Sequence, residues 1–462
     1  MGRVSTLAKR LGLKSRESVS WAMYDWANSA FATTVIAAVF PIYYETVIGG
    51  NLPGNLASVY FGYTTAIGLT LIALASPVLG AIADRYQAKR KMLGAFVVIG
   101  VFATSGLFFT GEGDVLLGSG LFIAANIGFI GANVFYDSLL GHVSEGNADK
   151  LSAAGYALGY VGGGILLVVN LAWILAPETF GFSGTASASR AALLSVALWW
   201  AVFSIPLFKN VSEPEPDTDR ERANTDAGPV RAGFSELRKT ASELREYRDL
   251  LIFLIAFLLY ADGIGTIIRM ASIYGSEIGI SQTGIIGALV LVQFLGIPFA
   301  FLFGSLPSWS IGRIDMSVKR GLYLGLAVYT GISIGGFFMT ETWQFWVLAI
   351  AVATVQGGTQ ALSRSLYSTL VPPDRSSEFF SFFSISSKFA GIAGPALFAF
   401  VGQLTGSSRY SIVALLVFFV GGALLLSQVD VERGRTVARN STPSGSVGVD
   451  GPEPDPAGGT DD

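Results

Sequence analysis

Long apolar runs alternate along the chain with short polar or charged interruptions. Twelve of the runs are long enough to cross about 30 Å of hydrocarbon as helices, some with tilt. In the first half they are Ser20–Ile48, Ala57–Ala83, Met92–Phe109, Val115–Leu140, Ser152–Leu175 and Ala191–Phe208. In the second half they are Leu250–Tyr274, Gly284–Leu306, Gly321–Met339, Trp343–Leu370, Glu378–Leu404 and Tyr410–Leu426. The expected architecture is an all-α membrane protein of two pseudo-symmetric six-helix bundles. The halves are separated by a stretch of different composition. Val211–Pro229 is rich in Pro, Glu and Asp and is expected to be disordered. Phe234, Leu237, Ala241, Leu244 and Tyr247 then fall on one helical face, which predicts an amphipathic helix lying on the membrane. The expected organisation is a basic N-terminus (1–19), a first bundle (20–208), a linker with its amphipathic helix (209–249), a second bundle (250–428) and a disordered acidic tail (429–462).

Composition supports this picture. Hydrophobic residues make up 51% of the chain and charged residues 14%, whereas soluble domains carry about 25% charged residues. Cysteine is absent, which excludes disulfides, thiolate metal sites and cysteine nucleophiles. The single histidine, His142, makes no metal site on its own, and no cofactor or nucleic-acid partner is expected. No Gly-x-x-x-x-Gly-Lys-Ser/Thr loop is present, so ATP-driven pumping is not expected. The basic N-terminus (Arg3, Lys9, Arg10, Lys14, Arg16) precedes a run too long for a signal-peptide core and reads as a retained first helix. Most Lys and Arg fall at the termini and in the even-numbered loops, against Arg190 and Arg409 in odd ones. That asymmetry predicts both termini in the cytoplasm of a multi-pass protein of a prokaryotic cell membrane.

Polar residues inside the spans are the candidate chemistry, because charge in hydrocarbon is costly and is usually paired or faces a water-filled cavity. Tyr24-Asp25, Tyr136-Asp137, Tyr260-Ala-Asp262 and the Arg364/Tyr367 pair sit on the first, fourth, seventh and tenth spans, where inverted-repeat transporters place cavity-lining helices. Asp25, Asp137 and Arg364 are expected roughly 5–9 Å inside the cytoplasmic face, as a gate between halves or as static anchors. Asp262 and Lys388 are expected about 15–18 Å deep, near the midplane, with Asn126 and Gln293 at similar depth. An acid, a base and two amides there suit a ligand with an ammonium and a carboxylate; an internal Asp262–Lys388 pair is the alternative. Tyr24 and Asn28 of the first span complete the expected substrate-binding set. Arg269 stands about two turns beyond Asp262 on the same face and can snorkel to the outer interface.

The second and third spans are joined by Gly80-Ala-Ile-Ala-Asp84-Arg85-Tyr-Gln-Ala-Lys89-Arg90-Lys91. This Gly-x-x-Ala-Asp-Arg-x-x-x-Lys-Arg pattern resembles the loop between helices 2 and 3 of the major facilitator superfamily, which implies gating roles for Asp84 and Arg85. The second copy is degraded, with Ser308 where Asp84 would stand. More specific are Trp21-Ala-Met-Tyr-Asp-Trp-Ala-Asn-Ser-Ala-Phe31, Asn133-Val-Phe-Tyr-Asp-Ser-Leu-Leu140, Tyr260-Ala-Asp-Gly263, Ile268-Arg-Met-Ala-Ser-Ile-Tyr-Gly275, Gly357-Gly-Thr-Gln-Ala-Leu-Ser-Arg-Ser365, Ser387-Lys-Phe389 and Gly394-Pro395. Together these resemble the prokaryotic branch of the vacuole-effluxer family of that superfamily, over about Ser20 to Leu426. The resemblance implies a secondary transporter working by alternating access. Its eukaryotic relatives are linked to amino-acid efflux from the vacuole, which implies efflux of an amino acid or similar small zwitterion, with coupling to protons through Asp262 or Asp25 left open. The alternatives are a proton-coupled exporter of amphipathic compounds and a non-transporting receptor or scaffold.

The cation asymmetry generates a topology test. In this cysteine-free chain, Gly50→Cys should react with an impermeant thiol reagent in intact cells and Asp226→Cys should not. The reverse labelling pattern would overturn the orientation.

Overall fold

The computed structural model describes residues 13–85, 88–144, 148–213, 238, 242–304, 310–311, 314–315, 317–372 and 376–440. In the first half, α1 runs Arg16–Ile48, α2 Leu56–Arg85, α3 Lys89–Phe109, α4 Val115–Val143, α5 Ala148–Leu175 and α6 Thr185–Asn210. In the second half, α7 runs Arg248–Glu277, α8 Gln282–Gly304, α9 Val318–Phe338, α10 Thr342–Leu370, α11 Ser376–Phe389, α12 Ala393–Thr405 and α13 Ser408–Ser427. A short helix, α14, follows at Val431–Asn440. Between α8 and α9, β1 (Ser310–Ile311) pairs antiparallel with β2 (Ile314–Asp315). Among the described residues, 11 helices are long and apolar enough to cross a membrane. Their outward side chains, such as Phe102, Phe109, Leu116 and Leu404, are exposed apolar groups suited to lipid.

The eleventh predicted span differs from expectation: it is two half-helices, α11 and α12, and not one continuous helix. Pro395 explains the break. It has no N–H, and its ring would clash with the carbonyl four residues back, at Gly391, were the helix to continue. The chain turns there with Gly391 at φ 109°, a left-handed conformation that glycine adopts without a Cβ penalty. α1 is also irregular. Phe31–Ala38 and Tyr44–Ile48 are wound as π-helix. Pro41 cannot donate to the Ala37 carbonyl, and that carbonyl instead accepts the Ser272 hydroxyl from α7 in the other half.

Glycines set how closely helices approach. Gly155, Gly159 and Gly162 on α5 lie against Asp25, Ser29 and Trp26 on α1, so any Cβ would collide. Gly100 and Gly128 bring the α3 and α4 backbones together in the same way.

The two bundles meet along a seam formed by α2 with α12, α5 with α8 and the later part of α1 with α7. The face carrying the start of α1 is called the N-terminal face below. Hydrogen bonds joining the halves among the described residues lie from mid-depth to the opposite face. Asn55 donates to the Gly402 carbonyl at 2.9 Å, Tyr63 to Gln403 at 2.7 Å, Gln282 to Ser189 at 3.0 Å and Gln293 to the Tyr160 carbonyl at 3.2 Å. The seam is closed at the face opposite the N-terminus.

Two expectations about the flanks change. The segment taken as a disordered tail from 429 begins with helix α14, which docks because Gly434 sits against Leu370 and Asp249 and because Arg433 grips the Asp249 carboxylate with two 2.7 Å bonds. Of the face expected to lie on the membrane, Leu244 and Tyr247 are buried in protein, with the Tyr247 ring 5.6 Å from that of Phe379. Most of 214–241 and all of 441–462 lie outside the described residues, including the expected disorder of both stretches.

The glycine contacts predict a contrast on α4. Gly128→Ala drives a Cβ into the Gly100 backbone, whereas a Cβ at Gly120 meets nothing within 4 Å. Gly128→Ala should cost about 1–3 kcal/mol through overpacking, and Gly120→Ala should be near neutral. Thermal unfolding of both variants in detergent checks this, and equal melting temperatures would refute the packing account.

Candidate functional site

Acids and bases inside the spans are divided by half. The first half carries Asp25, Asp137 and, near the end of α1, Glu45; the second carries Asp262, Arg269, Arg364 and Lys388.

Asp25 is built into the aromatic corner of the first bundle. Its carboxylate accepts the Tyr136 hydroxyl at 2.9 Å. The Tyr136 ring stacks on Trp21 at 4.3 Å and lies 4.7 Å from Tyr24. The Trp21 indole N–H donates to the Tyr136 carbonyl at 3.0 Å. Asp137, the next residue on α4, points the other way and is exposed. It interacts through charge with Lys388 and Arg364 of the second half, without hydrogen-bonding to either. Arg364 is exposed and Lys388 half-buried. One acid of the first half therefore faces two bases of the second across the seam, on its N-terminal side, where α11 also packs against α2.

Asp262 is committed elsewhere. One carboxylate oxygen accepts the Ala393 amide at 2.9 Å and the other the Gly394 amide at 2.8 Å. These amides open α12, where no preceding turn supplies acceptors. The carboxylate thus caps the half-helix from a neighbouring helix. The Thr266 hydroxyl, bonded at 2.8 Å to the Asp262 carbonyl, closes the side of this cap. The sequence reading brought Asp262 and Lys388 together as a midplane couple. In the structure Asp262 serves the amides beyond the break, while Lys388, which precedes it on α11, has Asp137 as its charge partner.

A cavity of about 320 Å³ lies between the halves and extends into the second bundle. Its polar lining includes Ser29, Thr33, Tyr156, Tyr160, Gln293 and Gln356, with Tyr274 and Ser333 on the second bundle; the remainder is mostly aliphatic. Ser29 is one turn beyond Asp25 on α1, and Gln356 about two turns before Arg364 on α10, so the cavity continues along helices that carry the charged residues.

Of the other expected substrate residues, Gln293 lines the cavity. Asn126 donates to the Phe122 carbonyl of its own helix at 2.9 Å, and Asn28 donates to Asn133 at 2.7 Å. Tyr24 is fully buried. These three do not line the cavity. The gating expectation for Asp84 and Arg85 falls on side chains outside the described residues, as does Ser308. Tyr156, Tyr160 and Gln356 were missed. Tyrosines inside a span carry no periodic or charge signal that separates a cavity wall from an interface belt.

Two six-helix halves around a shared cavity, with opposite charges facing across the seam, define a membrane transporter of the major facilitator type rather than an enzyme. Residues 49–439 match the model of the family "Vacuole effluxer Atg22 like", and the chain belongs to that family. It is 38% identical over 429 residues to the uncharacterized MFS-type transporter YxiO of Bacillus subtilis, covering 92% of this chain and 97% of that one. It is also 28% identical to autophagy-related protein 22 of Yarrowia lipolytica, over 63% of this chain and 51% of that longer protein. Among solved structures, a mutant of the nucleoside transporter NupG superposes with TM-score 0.63 at 12% identity, covering 89% of this chain and 99% of that one. A bacterial homologue of the lysosomal transporter Spinster gives 0.61 at 15% identity, covering 93% and 98%. These likenesses concern the fold.

The cap generates a prediction. Asp262→Ala leaves two α12 amides without their acceptor at a buried position, at about 1–3 kcal/mol. It should lower the melting temperature by several degrees, with Asp262→Asn falling between. An Asp262→Ala protein as stable as the parent would show that the carboxylate is not what holds the half-helix.

Proposed function

We propose that the protein is a secondary transporter that moves an amino acid or similar small zwitterion by alternating access, outward across the cell membrane. With the N-terminal face in the cytoplasm, as the cation asymmetry expects, the open side of the seam faces inward. The observation that carries the reading is the set of opposite charges across that opening. Asp137 faces Lys388 and Arg364, and none of the three hydrogen-bonds to another. A solute with an ammonium and a carboxylate fits between: the ammonium against Asp137 with Asp25 behind it, the carboxylate against Lys388 and Arg364. The rest of the solute extends into the cavity beside Tyr156, Tyr160, Gln293 and Gln356.

The same charges serve the gate. Binding that draws acid and bases together closes the inner seam, and the solute's gain in affinity for the closed state sets how far the population shifts. The opposite seam, held by hydrogen bonds and side-chain contacts such as Gly62 against Ala399, then opens. Asp25 is the candidate proton carrier, being a half-buried acid one turn from the cavity with a tyrosine hydroxyl on it. The mostly aliphatic cavity supports a second reading, an exporter of amphipathic compounds.

A melting screen of the purified protein against amino acids, their amides and N-acetyl derivatives tests the first reading, since a solute that binds the folded state raises its melting temperature. The zwitterion should protect. Loss of a charge-assisted contact worth about 1.5–3 kcal/mol should weaken it tenfold or more in Asp137→Asn and in Lys388→Gln. Protection by neutral amphipathic compounds alone, unaffected by either substitution, would favour the second reading.

A further inference from the structure

Among the described residues, the cationic head of Arg269 has no hydrogen-bond or ion-pair partner. The sequence allowed this side chain to reach the outer interface. The structure turns it the other way: helical side chains lean toward their own N-terminus, and the guanidinium folds back one turn over Gly265. Its Nη1 lies 2.7 Å from where a Gly265 Cβ would stand and 3.5 Å from where a Gly391 Cβ would stand. Both positions are glycine, so the guanidinium rests in a cradle that side chains would fill. Leu69 of α2 lies 3.6 Å from the same Gly391 point. The head is therefore at the seam between the halves, at the level of the α11–α12 break.

An arginine offers five N–H donors. Among the described residues, this one makes no hydrogen bond and no ion pair. Its nearest acid is Asp262, with which it interacts through charge. Both carboxylate oxygens of Asp262 are taken by the Ala393 and Gly394 amides. Arg269 is half-buried, so its head is not sealed from small solutes. A planar fork of donors held over two glycines, with its hydrogen bonds unmade, suits a carboxylate or another small monoanion.

We propose that Arg269, cradled by Gly265 and Gly391 at the α11–α12 break, is a binding site for a small anion between the two halves. The site is separate from the Asp137–Lys388–Arg364 opening and does not depend on the identity of the transported solute. Two sources supply such an anion: the carboxylate of a solute, or a free inorganic anion such as chloride. An anion bound there would neutralise the guanidinium beside the α11–α12 break, next to Leu69 of α2.

The test uses the full-length protein in detergent at constant pH and ionic strength, with a bulky sulfonate as balancing anion. Acetate and chloride are titrated separately, and melting is followed for the parent, Arg269→Gln and Gly265→Ala. At least one anion should raise the melting temperature of the parent. Arg269→Gln should abolish the effect. Gly265→Ala, whose new Cβ displaces the flexible end of Arg269 and leaves the charge in place, should weaken it several-fold. Response to acetate alone identifies a carboxylate source, and an equal response to chloride identifies a free-anion site. A parent insensitive to both anions overturns the proposal, as does undiminished protection in either variant. Should Arg269→Gln fail to fold, the parent and Gly265→Ala decide the matter between them.

Discussion

A backbone amide inside a membrane must find an acceptor, and at the break between α11 and α12 that acceptor is Asp262. Pro395 forbids a continuous helix and Gly391 permits the turn. The freed amides of Ala393 and Gly394 would be costly in hydrocarbon without a partner. The carboxylate meets both from α7. One acidic side chain thus lets a membrane helix be discontinuous, and the discontinuity has two consequences. Lys388 ends on the near side of the break, directed to the first half. Arg269 is left beside the break with Asp262 already occupied.

The remaining charges follow from this. Without the cap, the natural arrangement of an acid and three bases in the second half would include an internal pair. With the acid engaged by amides, Lys388 and Arg364 face across the seam, and the first half supplies Asp137 opposite them. The two halves are therefore electrostatically complementary on the N-terminal side of the seam. Where they touch, they are joined by neutral hydrogen bonds and small residues. Neutral contacts of this kind release at modest cost, while Asp137 attracts Lys388 and Arg364 across the other side of the seam. A two-bundle protein needs this asymmetry if neither face is to lock shut.

Much of the architecture was legible in the chain. Twenty-residue apolar runs, cations at alternate loops and a polar central linker leave few folds open, because hydrocarbon thickness and backbone satisfaction restrict spanning elements to helices of one length. The break was written in the sequence as Gly391-x-x-Gly394-Pro395, although those glycines read equally well as a packing motif. Helix α14 was not legible: Val431–Asn440 is polar on most faces, and it folds because Asp249, far away in sequence, receives Arg433.

The candidate site divides in the same way. Sequence alone determined which ionisable residues lie within membrane-length helices and gave an expected depth for each, since rise per residue converts position to depth. It could not determine pairing, because pairing depends on the rotation of each helix about its axis, and rotation is set by packing against neighbours. Asp262 and Lys388 share a depth yet face different partners. Asp137 and Arg364, from opposite halves, come to face one another. Tyr156, Tyr160 and Gln356 became cavity walls only once α5 and α10 were turned toward the seam. Depth is a property of one helix and is fixed by the chain; direction belongs to the assembled bundle, and tertiary structure decided it.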